Sequence, residues 1–160
     1  MKHFRSIIAA ALVSVSRLGA LPANVSPLGA LGFFNSNPLY FIVSFVAFDY
    51  LVGGFYRGVW FNYVGFMLYW FLGRLAAKNI KLQIIGLPLA SLLFFLISNL
   101  GVWIYWYAHT LQGLATCYLL AVPFYRNTLI GDLVFGYGYL MVKYWWDKRL
   151  NHQEIKMAVV

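Results

Sequence analysis

Leu92-Leu93-Phe94-Phe95-Leu96-Ile97-Ser98-Asn99-Leu100-Gly101-Val102-Trp103 is the stretch on which the fold turns. It lies inside a segment, 82–107, that holds no Lys, Arg, Asp or Glu. As a helix rising ~1.5 Å per residue, such a segment is long enough to cross the ~30 Å hydrocarbon core of a bilayer. Apolar segments recur outward from it at roughly 4–20, 26–35, 38–55, 59–77 and 125–146. Breakers separate them: Pro22 and Pro27, the run Asn35-Ser36-Asn37-Pro38, and Gly53-Gly54. Hydrophobic residues make up 62% of the chain and charged residues 10%, a balance that leaves no soluble domain over. The sequence predicts an all-α polytopic membrane protein, a single integral domain over 1–160 built as a six-helix transmembrane bundle.

The second segment is too short to cross as a straight helix, so it should be buried among its neighbours. Residues 110–123 are expected to form an extra short helix, outer-side or re-entrant, before the last span. Pro123 is expected to end it. The net charge of +8 is dispersed at the ends of apolar segments instead of forming one stripe, which argues for orientation signals over a nucleic-acid surface. With both termini cytoplasmic, six crossings place Lys2, Arg5, Arg74, Lys78, Lys81, Lys143, Lys148, Arg149 and Lys156 inside. Only Arg17, Arg57 and Arg126 fall outside, in keeping with the positive-inside rule. Lys2, Arg5 and Ile7 to Val13 resemble the start of a signal peptide, but Arg17, Ser14 and Ser16 make a poor cleavage context, and a retained first span is expected.

Polar residues inside apolar segments are the candidates for function, because lipid makes them costly. Asp49 in the third span needs a partner or water, and Arg17, Arg57 and Arg126 share its expected side. Asn99, Trp103 and Tyr107 follow at four-residue intervals, so one helix face offers an amide, an indole N–H and a phenol. Past Pro123, the residues Arg126, Asn127 and Thr128 are expected in the first turn of the last span, where free N–H groups suit an anion or carbonyl. Asp132 lies deeper and should meet an Arg, a backbone donor or water. Against these readings stand plainer ones: helix-locking salt bridges, an interfacial aromatic belt and simple capping. In the first span Ser6, Ala10 and Ser14 line one face with small side chains, suited to docking another membrane subunit or to packing within the chain itself.

The lone Cys117 excludes an internal disulfide and a multi-cysteine metal site. His3, His109 and His152 show no ligand spacing, and nucleotide-binding and hydrolase motifs are absent. No enzyme activity, cofactor or metal is expected.

Three blocks, Asn24-Val25-Ser26-Pro27-Leu28-Gly29-Ala30-Leu31, Phe94 through Trp103, and Gly113 through Asp132, resemble the hallmark segments of a family of small bacterial membrane proteins of unknown function. That family is similar in turn to the substrate-binding S components of energy-coupling-factor vitamin transporters. The resemblance implies a bacterial inner-membrane, multi-pass bundle that binds a vitamin-like solute near its outer face. It further implies docking through the first helix to a transmembrane coupling subunit driven by ATPases. Serines at 6 and 14 replace alanines of the docking motif. Pro123-Phe124-Tyr125-Arg126-Asn127 is similar to the Pro-Phe-Asn entry into the last S-component helix, with two extra residues. A solitary cobalamin-transporting group uses a cysteine near the ligand metal, so Cys117 invites comparison as a cobalt ligand, beside its reading as a small packing residue.

The function expected is therefore uptake of a small vitamin-like solute in a pocket lined by Asn24, Asp49, Arg57, Asn99, Trp103, Arg126, Asn127 and Asp132. The alternative is a non-transporting structural or assembly subunit, in which the same residues only tie helices together.

Overall fold

A computed structural model describes residues 21–35 and 37–158; the side chains of Tyr40, Phe41, Ser44, Phe48, Val52 and those from Leu150 onward are outside that description. The described chain is all-helical: α1 Leu28–Phe34, α2 Pro38–Phe48, α3 Val59–Ala76, α4 Ile80–Trp106 and α5 Leu111–Ala158. A π-helical turn, Asp49–Gly53, continues α2. The first expected span, 4–20, and with it Ser6, Ala10 and Ser14, lie outside the described residues.

Local chemistry explains most of the boundaries. Asn37 caps α2 by accepting from the Leu39 amide at 2.9 Å, with Pro38 at the first helical position, where its missing N–H costs nothing. Asn79 caps α4 by accepting from the Lys81 and Leu82 amides. Gln83 then reaches back across the α3–α4 turn to the Ala77 carbonyl at 2.8 Å. Gly54 and Gly58 take positive φ between α2 and α3, conformations that cost other residues energy.

The short α1 is the hub. It packs against each of the other four helices, and Leu28, Gly29, Ala30, Gly32 and Phe33 are all buried. Small residues let the backbones close in: a Cβ on Gly73 of α3 would collide with the Phe33 carbonyl group. Phe33, Tyr69, Ala76, Leu87 and Ala90 form the core around it. A second cluster joins Leu28 to Phe45 of α2, whose ring stacks 4.8 Å from Tyr63 and 5.4 Å from Phe66.

One expectation is corrected. Residues 110–123 are not a separate short helix, and no break divides them from 125–146: α5 runs unbroken through Pro123. An interior proline removes one intrahelical hydrogen bond and crowds the preceding turn, and here Val122, Pro123 and Phe124 are all exposed, so the distortion meets no packed neighbour. At ~1.5 Å per residue the 48 residues of α5 span about 72 Å. Pro88 inside α4 is compensated differently. It leaves the Ile84 carbonyl without its usual N–H donor, and the Tyr137 hydroxyl of α5 donates to that oxygen at 2.9 Å.

Among the described residues one helix, α4, is long and apolar enough to cross a membrane, with a mean hydropathy of 2.1. The outward faces carry large apolar side chains throughout, among them Trp60, Val64 and Phe71 of α3, Ile85 and Leu89 of α4, and Leu119 and Val134 of α5.

Candidate functional site

A cavity of about 430 Å³ opens beside the N-terminal end of α1. The segment 21–26 forms one wall, and α3, α4 and α5 contribute Asn62, Phe66 and Tyr69, Phe94, and Thr128 and Asp132 respectively. Its existence depends on two close approaches. A Cβ on Gly131 would lie 2.8 Å from the Ser26 backbone nitrogen, so only a glycine lets segment 21–26 lie directly on α5. A Cβ on Gly29 would collide with Asp132 Oδ1 and lie 2.7 Å from the Tyr69 ring, so the absence of a side chain there makes room for the polar pair.

That pair is the chemical centre of the site. Asp132 is 1% exposed and Tyr69 0%. The Tyr69 hydroxyl donates a hydrogen bond to Asp132 Oδ2, and the Ala30 backbone N–H hydrogen-bonds the same carboxyl. Ser91 of α4, also fully buried, lies beside the pair, with its hydroxyl next to both Asp132 and Tyr69. Among the described residues no cation contacts Asp132. The rings of Phe66 and Phe94 lie 4.6 Å apart, with Tyr69 5.9 Å from Phe94, and they form an aromatic wall next to the carboxyl.

At the rim Asn24 adopts a left-handed conformation, φ 64°, which asparagine tolerates better than most residues. The Asn127 amide donates to the Ala23 carbonyl at 3.0 Å and ties the wall segment to α5. Asn62 donates to the Tyr56 hydroxyl, and Ser26 Oγ accepts from the Leu28 amide at 3.3 Å.

Of the residues expected to share a pocket, the cavity wall takes Asn24 and Asp132, with Asn127 holding the wall in place. Asp49 is 7% exposed at the start of the π-helical turn and accepts from the Tyr63 hydroxyl at 3.0 Å, away from the cavity. Arg57 and Arg126 are exposed. The Asn99 amide donates to the Phe95 carbonyl one turn back in its own helix, and Trp103 Nε1 donates to the Ala108 carbonyl in the α4–α5 turn. Cys117 is buried, with its thiol 3.6 Å from the Asn99 carbonyl. Among the described residues no group of three or more His, Cys, Asp or Glu side chains could hold a metal ion. The continuity of α5 removes the expected helix N-terminus at Arg126, Asn127 and Thr128, whose amides are occupied within the helix.

Sequence reasoning missed Tyr69, Ser91 and the role of Gly29. Tyr69 sits in the aromatic-rich stretch Phe66-Met67-Leu68-Tyr69-Trp70-Phe71, and only the position of Asp132 across the bundle gives it a partner. What the sequence did mark were three blocks, and each reaches the cavity: 24–31 through Asn24, Ser26 and Gly29, 94–103 through Phe94, and 113–132 through Thr128 and Asp132.

Residues 2–152 match a family of unknown function, DUF6580. The chain belongs to that family. No curated protein and no solved structure matches this DUF6580 member, so its cavity has to be interpreted from its own chemistry.

Proposed function

We propose that this DUF6580 chain is a multi-pass membrane protein that binds and takes up a small vitamin-like solute, similar to the S components of energy-coupling-factor transporters. The observation that carries the reading is the 430 Å³ cavity built around a buried carboxyl with no cationic partner among the described residues. Its size falls in the ordinary range for small-molecule sites, about 300–1,000 Å³, and aromatic walls with a few convergent polar groups are the usual composition of such sites. The membrane setting draws support from the apolar outward faces of α3, α4 and α5, a surface that water would not tolerate on a monomer. In this reading the bundle crosses six times, with both termini in the cytoplasm of a bacterial cell. Asn62 near the start of α3 and Phe94 in the second half of α4 then put the cavity in the outer half.

A second reading has an observation of its own. Tyr63 with Asp49 and Tyr69 with Asp132 each tie two elements together, which is what a non-transporting structural or assembly subunit requires. A thermal-shift screen of vitamins and their precursors separates the two, using the full chain in lipid nanodiscs and a Thr128→Trp variant that places an indole in the cavity. The uptake reading expects at least one compound to raise the unfolding midpoint of the wild type and leave the variant unmoved. If no compound stabilises the wild type, the structural reading takes its place.

A further inference from the structure

Resting on the solute-binding reading above, we infer that the cavity takes a small organic cation, with its charged nitrogen against Asp132 and its apolar body against Phe66 and Phe94. Three observations lead there. First, among the described residues the wall holds one carboxylic acid and no Lys, Arg or His. Second, the groups that meet Asp132, the Tyr69 and Ser91 hydroxyls and the Ala30 amide, are all neutral, so they hold the carboxylate in place without cancelling its charge. A buried charge left uncompensated is costly, and an arriving cation removes that cost at the moment of binding. Third, the three rings of Phe66, Tyr69 and Phe94 stand next to the carboxyl, and aromatic faces attract organic cations.

The other ligand classes fit less well. An anion would face the carboxylate directly and be repelled. A neutral solute would leave the charge as it stands in the empty site. A hard metal ion needs several converging oxygen ligands and has no use for an aromatic wall. The Ser91 hydroxyl beside Asp132 and Tyr69 adds one further hydrogen-bonding oxygen within the cluster.

The test uses the full chain in nanodiscs of zwitterionic lipid and three probes of matched shape: 2-phenylethylammonium, 2-phenylethanol and 3-phenylpropionate. Binding is read by equilibrium dialysis with the signal of empty nanodiscs subtracted, for the wild type and Asp132→Asn. The proposal expects the ammonium to bind the wild type about tenfold or more tightly than the alcohol, the size of effect one charge contact of modest strength gives. It also expects the carboxylate not to bind, and the ammonium preference to vanish in D132N. An alcohol that binds the wild type as well as the ammonium does overturns the cation assignment while leaving the solute-binding reading intact. No probe binding above empty nanodiscs also overturns it, and the vitamin screen then judges the broader reading by itself. Should D132N fail to fold, the ratio of ammonium to alcohol on the wild type decides alone.

Discussion

Asp49 and Asp132 are buried acids that each accept a hydroxyl from α3, Tyr63 in one case and Tyr69 in the other. Removing the donor at the more buried site leaves a carboxyl short of a partner in a medium that offers little else. Tyr69→Phe should therefore lower stability by about 1–3 kcal/mol, seen as a lower unfolding midpoint of the chain in nanodiscs. The Tyr137 hydroxyl offers a cleaner case, because its acceptor, the Ile84 carbonyl, is free only because residue 88 is proline. Tyr137→Phe should cost about 1 kcal/mol in the native background and markedly less beside Pro88→Ala, which restores the helical N–H. A double-mutant cycle that shows no coupling between the two positions would refute this pairing. At this scale the sequence was half legible. An aspartate deep in an apolar segment announces that it needs a partner, but a tyrosine among phenylalanines and tryptophans gives no sign that its hydroxyl is the one required. The π-helical turn at Asp49–Gly53 had no sequence signal that we can identify.

At the scale of elements, breakers and caps did most of the specifying. Asn37-Pro38 and Asn79 start α2 and α4 by side-chain capping, a local interaction that any reading of the chain can find. The burial of α1 followed from its length alone: a helix of seven residues gains stability only by being surrounded. Pro123 misled, because a proline's effect depends on what packs against it, and at 122–124 the helix surface is open. Close packing at glycines is the element-scale device that composition cannot reveal. Gly73→Ala would drive a methyl into the Phe33 backbone, where nothing flexible can yield, and should destabilise the bundle by about 1–3 kcal/mol or more. A methyl at Gly138 of α5 would have nothing within 4 Å of it, so Gly138→Ala should raise stability by about 0.5–1 kcal/mol. Chemical or thermal unfolding of the two variants side by side checks the contrast.

At the scale of the whole molecule, the three sequence blocks that lie far apart along the chain come together at one cavity; of the other polar candidates Asn99 and Trp103 are spent on the chain's own backbone, Asp49 accepts from Tyr63, and Arg57 and Arg126 are exposed. The apolar character of the chain was legible from composition. Which polar residues converge was not, since that depends on how α1 seats between α3 and α5, where Gly29 and Gly131 allow contacts no periodicity encodes. The claim that joins these levels is that the cavity is a water-filled chamber reached from the outer side of a membrane-embedded bundle. Cysteine accessibility in intact cells tests it directly, using the full chain with Cys117→Ala and single cysteines placed at Ser26, at Thr128 and at Gly138. The account expects a membrane-impermeant thiol reagent to label positions 26 and 128 without permeabilisation and to leave position 138 unlabelled. Labelling of 26 and 128 only after the cells are opened, or not at all, would contradict it.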